Sequence, residues 1–133
     1  MKALDTNVLV RFLTEDDPGQ YKKVLALFRA GQQSGERFFV DKIVMLEMIW
    51  VLETVYRYRR EEILSATGKL LSLTVLAFEN TEMLEKFTAL AAVSRTELSD
   101  LLVGLSAESG PCETTLTFDR KAAKESKLFH LLT

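Results

Sequence analysis

Four short apolar runs punctuate this chain: Lys2–Leu4, Phe38–Val40, Val75–Phe78 and Glu113–Phe118. Between them lie segments in helical period. Strands this short, separated by helices, indicate an α/β domain with a mostly parallel sheet. A short helix is expected over Asn7–Leu13. At DDPGQ, Asp17 is placed to cap a second helix, Pro18 suits its first position, and Gln20 completes a capping box. Tyr21, Val24, Leu25, Leu27 and Phe28 keep its apolar spacing, and Gly31 to Gly35 end it. Asp41 is placed to cap the next helix. Further helices are expected over Glu61–Leu73, Thr81–Val93 and Glu97–Ser109, with Gly110 and Pro111 breaking the last. The tail DRKAAKESKLFHLL leaves room for a short helix and an edge strand.

The acids are the second constraint. Asp5 directly follows the first strand and Asp119 the last, which places both at the carboxyl edge of a sheet, where open α/β folds keep their functional crevice. Asp100 lies early in a helix whose apolar face is Leu98, Leu101, Leu102 and Leu105; Gly104 and Ala107 on the adjacent face leave room above its carboxylate. Glu47 stands within IVMLEMIWVLE. That helix is apolar nearly all round and is expected to be interior, so its carboxylate requires a partner. Taken singly, Asp5 also reads as a helix cap, Asp119 as a turn residue and Asp100 as an exposed first-turn residue. For Glu47 the plain alternative is a buried ion pair with Arg11 or Lys42. One shared site accounts for all four. Gathered carboxylates repel unless a cation holds them ionised, and oxygen-only ligation points to Mg²⁺ or Mn²⁺, ions that hold phosphates and activate water.

Composition narrows the rest. The chain has 133 residues, a formal charge of −2, one cysteine and one histidine. This length suits a single domain, 1–133. The charge argues against a general nucleic-acid coat protein. Cys112 has no partner for a disulfide, which fits a reducing cytoplasm, and a zinc site of His and Cys is excluded. MKALDTN is no signal peptide, and no uncharged apolar run approaches a membrane span. Cys112, Phe12, Trp50 and Phe118 read as core residues and His130 as structural. Two basic groups stand out. Arg57, Arg59 and Arg60 read as solvated surface. Arg120, Lys121, Lys124 and Lys127 adjoin Asp119, and of these Arg120, Lys121 and Lys124 are candidate contacts to substrate phosphates.

ALDTNVLVRFL, LEMIWVLE, ELSDLLVGLSAESG and TLTFDRKAA, in this order and spacing, resemble PIN-domain ribonucleases of the VapC toxin type over almost the whole chain. The resemblance implies a three-layer α/β/α fold with a central, mostly parallel sheet of four to five strands. It implies an endoribonuclease dependent on Mg²⁺ or Mn²⁺, with catalytic and metal-binding acids at Asp5, Glu47, Asp100 and Asp119. Thr6 and Asn7 match the polar pair after the first acid, and Asn7 is placed to orient a carboxylate or a water. Thr117 matches the hydroxyl before the last acid. Asp41 stands where relatives more often carry Ser or Thr. Glu97 stands where many carry Asp, so it is left outside the core set. The metal would activate a water for in-line attack, leaving 5′-phosphate and 3′-hydroxyl ends. A second ion, if substrate brings it, would stabilise the leaving 3′ oxygen. The relatives pair with a small antitoxin and usually form homodimers. Three other readings remain open. A haloacid-dehalogenase or receiver domain also places Asp after its first strand, though the former normally has a second acid where Asn7 stands. A non-catalytic PIN-like module or a DNA nuclease would share the acids.

Overall fold

The computed structural model describes Met1–Thr133 as two compact units, Met1–Thr81 and Glu82–Thr133. The first contains β1 (Lys2–Ala3), α1 (Thr6–Thr14), α2 (Pro18–Ser34), β2 (Phe38–Val40), α3 (Lys42–Thr54), α4 (Arg60–Leu71) and β3 (Leu76–Phe78). The second contains α5 (Thr81–Val93), α6 (Leu98–Ser109), β4 (Thr115–Thr117), α7 (Arg120–Glu125) and β5 (Phe129–Leu131). The helix starts follow their caps. Asp17 Oδ1 accepts from Gln20 N at 3.0 Å with Pro18 in the first turn, and Asp41 Oδ1 accepts from Val44 N at 2.8 Å. Gly35 ends α2 at φ 78°, a left-handed conformation that a side chain would oppose.

In the first unit the strands pair in parallel in the order β1-β2-β3. Lys2 stands opposite Phe38, and Phe38 opposite Leu76. The core beneath is closed by Leu9, Phe28, Met45, Ile49, Leu52 and Leu70. An exposed polar network fastens its rim. Arg11 donates to Gln20 at 2.7 Å and to the Tyr56 hydroxyl at 3.0 Å, and that hydroxyl donates to Asp16 at 2.6 Å. The Tyr56 hydrogen bond, aided by Thr14, holds the Asp16 carboxyl below its usual range. In the second unit β4 and β5 form a parallel ribbon joined through α7, with Leu116 opposite His130.

The expected α/β architecture with parallel strands forms, its five strands pairing in sets of three and two. Other expectations are corrected. α3 is not interior on every side. Met45, Met48, Ile49 and Leu52 are buried, while Ile43, Glu47 and Trp50 are exposed. These three follow each other at spacings of four and three residues, so one stripe of the helix faces solvent. Glu47 therefore needs no partner to offset burial. Neither proposed ion pair forms: Arg11 pairs with Asp16 and Lys42 with Glu79. Phe12 is core as expected, but Trp50 is 56% and Phe118 79% exposed. Cys112 is also exposed. A run of apolar letters does not show which side of an element faces water.

Gly31 is packed where no side chain fits. A Cβ there would stand 2.8 Å from Val75 Cγ2, 2.9 Å from the Phe38 ring and 3.0 Å from the Glu36 carbonyl oxygen. Overpacking of this kind costs about 1–3 kcal/mol, against about 1 kcal/mol gained by replacing a helical glycine with alanine. Gly31→Ala is thus expected to lower stability by up to about 2 kcal/mol in urea unfolding, whereas Gly68→Ala, with open space around it, is expected to raise it.

Candidate active site

In the first unit the carboxyl edge of the sheet is lined with acids that start helices. Asp5, in extended conformation, caps α1 and accepts from Thr6 N at 2.8 Å through Oδ1. Asp41 caps α3. Glu79, directly after β3, accepts from Lys42 N at 3.2 Å and pairs with Lys42 Nζ at 3.6 Å. Thr6 is buried, and Asn7 is exposed in the first turn of α1. Glu47 lies further along α3 on its open stripe. The helix-cap reading of Asp5 is therefore correct, but it occupies only one oxygen. The carboxylate stays exposed and able to take a further ligand.

The second unit brings Asp100 and Asp119 to one cleft, together with Thr96, Glu97, Lys121, Ala122 and Glu125. Asp119 caps α7: its Oδ1 accepts from Lys121 N at 2.9 Å and Ala122 N at 3.1 Å. Its own backbone N–H donates to Thr117 Oγ1 at 3.0 Å, so the hydroxyl two residues before the acid fixes the turn that presents it. Asp100 is half-buried in the first turn of α6. Burial, then the negative charges of Asp119 and Glu97, push its carboxyl above the usual range. Gly104 does not make room above Asp100 as the spacing suggested. It lets α6 approach β5, where a Cβ would stand 3.0 Å from Leu128 Cβ and from the Phe129 ring. That close approach seats the helix carrying Asp100 against the ribbon whose end carries Asp119.

Two cleft acids were outside the set drawn from the sequence. Glu97 occupies the cap position of α6 without making a side-chain cap bond, so its charge is left to act on Asp100. Its three-residue spacing from Asp100 was the legible signal. Glu125 lines the same cleft, and its Oε2 is sealed from solvent with no hydrogen-bond partner; nothing in its sequence neighbourhood marks it. Four carboxylates against the single Lys121 make an all-oxygen donor set. Such a set suits a hard cation of the Mg²⁺ or Mn²⁺ kind, although neither unit closes three or more His, Cys, Asp or Glu side chains around a point. His130 and Cys112 line none of it.

The PIN-domain family model matches residues 2–127, and the chain belongs to the PIN-domain family, which sets aside the haloacid-dehalogenase and receiver alternatives. A relative within reach is the VapC ribonuclease of Aquifex aeolicus (strain VF5), 26% identical over 124 residues, covering 93% of this chain and 91% of the relative. No solved structure matches the chain. No helix is long and apolar enough to cross a membrane.

The raised pKa of Asp100 has a signed consequence. The folded chain holds this proton more tightly than the unfolded chain does. The stabilisation is complete below the ordinary aspartate value, about pH 4, and is lost as pH rises through the raised folded value. In EDTA, Asp100→Asn is therefore expected to melt higher than the parent at pH 7, with the gap closing toward pH 4. A gap that is constant with pH would show that Asp100 titrates normally.

Proposed function

We propose that this chain is a metal-dependent endoribonuclease that acts as the toxin of a toxin–antitoxin pair, with Asp5, Glu47, Asp100 and Asp119 as its catalytic acids. The observation that carries this reading is the cleft in which Asp100 is held at a raised pKa by burial and by Asp119 and Glu97. Carboxylates kept together at such a cost are a mark of a functional site. Membership of the PIN family and similarity to a VapC ribonuclease supply the reaction class. The family match spans both compact units, which supports treating residues 1–133 as one functional domain.

Asp5, Glu47, Asp100 and Asp119 would hold Mg²⁺, or Mn²⁺ in its place. When bound, the ion supplies the charge that neutralises a phosphate and makes water a better nucleophile. The chain's own residues do the positioning. Thr117 fixes the backbone of Asp119, the α7 amides hold Asp119 Oδ1, and Asp119 Oδ2 lies outside those bonds. Thr6 donates its N–H to Asp5, and Asn7 offers an amide to orient a water. Lys121, which lines the cleft, and Arg120 and Lys124 on the same helix, contribute positive charge for the RNA backbone. Water attacks phosphorus in line with the departing 3′ oxygen, leaving 5′-phosphate and 3′-hydroxyl ends. No side chain is needed as a covalent nucleophile. The protein works in the cytoplasm as a homodimer that a small antitoxin silences.

Incubation of a mixed RNA pool with inhibitor-free protein tests this. Cleavage is expected with Mg²⁺ or Mn²⁺, none in EDTA, and a loss on the order of a hundredfold or more in Asp5→Asn. Cleavage that persists in EDTA would overturn the metal dependence. Folded protein that cuts no RNA under any ion would overturn the enzyme reading. Glu47→Gln is expected to weaken Mn²⁺ binding in a competition titration, and unchanged affinity would remove Glu47 from the ligand set.

A further inference from the structure

Phe118 immediately precedes Asp119, yet its side chain is 79% exposed. Leu116, two residues earlier, is 59% exposed. Side chains alternate along a strand, and partners in a parallel pair share a face. Leu116 stands opposite His130, and the ladder runs on to Leu132, whose N–H donates to the Thr117 carbonyl at 2.8 Å. Leu116 and His130 therefore share one face of the ribbon; Phe118 follows in the bend directly after β4 and Leu132 directly after β5, and all four are exposed. The opposite face is the packed one, with Phe129 buried against Gly104. An open apolar face with two rings costs solvation for no gain in packing.

The neighbouring charge says what would cover it. Between Phe118 and Lys127 the chain carries Arg120, Lys121, Lys124 and Lys127, all exposed, against Asp119 and Glu125. Aromatic side chains beside a cationic helix suit a polyanion with flat, apolar faces. Unpaired nucleobases have those faces, and a duplex keeps them stacked inside. Resting on the nuclease reading above, we propose that the open face of the β4–β5 ribbon is a stacking platform for unpaired bases of single-stranded RNA next to the scissile phosphate, with Phe118 as its principal ring. α7 holds the backbone, and Phe118 holds a base.

The test measures binding in EDTA, so that it does not depend on turnover. The probes are a dye-labelled single-stranded RNA oligonucleotide of mixed sequence and the same strand in a duplex. Phe118→Ala is expected to weaken single-strand binding about tenfold while leaving duplex binding unchanged. Phe118→Tyr restores the affinity. Phe118→Trp keeps it, and its emission is quenched by the single strand above the signal of Trp50. Lys124→Ala weakens both probes alike and lowers the salt dependence. Because Phe118 packs against little, none of these variants is expected to unfold. Single-strand affinity unchanged in Phe118→Ala overturns the proposal. So does a fall in particle mass in that variant with RNA binding intact, which would assign the face to a second copy of the chain. Single-strand binding that depends on Phe118 in a protein that cuts no RNA with either metal would uphold the platform and sink the nuclease reading, so the two fail separately.

Discussion

A helix that begins directly after a strand has unpaired N–H groups at its start, and here a carboxylate meets them. Asp5, Asp41 and Asp119 each follow a strand closely and each accept from the helix they open. The bond satisfies donors that burial would otherwise leave costly. A local folding requirement thereby places carboxylate oxygens at strand ends. Each cap described for Asp5 and Asp119 uses one oxygen of the pair. The same residue can therefore start a helix and serve a site.

Asp100 has no such compensation. It sits in the first turn of α6 rather than at its cap, half-buried, and faces Asp119 and Glu97. Stability alone would replace it with a neutral residue. Glu97 sharpens the conflict, since it holds the cap position yet makes no cap bond. Glu125 Oε2 is unpartnered in the same cleft. Places where local rules are broken together are where a fold gives up stability for function. Gly104 keeps the conflict in place by allowing α6 to sit close against Leu128 and Phe129.

The apolar surface follows a related logic. On α3, Ile43 and Trp50 flank Glu47 on an exposed stripe, while Met45, Met48, Ile49 and Leu52 close the core. On the β4–β5 ribbon one face packs on α6 and the other stays open. In both elements the apolar residues exceed what the unit's own core takes up, and the surplus lies beside a proposed catalytic acid.

Much was legible from local signals. Asp17 with Pro18, Asp41, and Gly110 with Pro111 marked helix limits to within a residue or two, because caps and breakers act over one turn of chain. The order of strands and helices, and the acids at strand ends, followed from the same short-range chemistry. The failures share one cause. Glu47 and Trp50 were placed inside because their neighbours are apolar, and Phe118 and Cys112 because such side chains are usually buried, but burial depends on which side of an element another element covers. Glu125 joined the cleft only because α7 turns it back beside Asp100. The sequence by itself determined the elements, their caps and the chemistry of the acids, since these depend on residues a few positions apart. Tertiary structure alone decided which faces are open, how Asp100 is charged and where the strands pair, since these depend on atoms distant in the chain and brought close by packing.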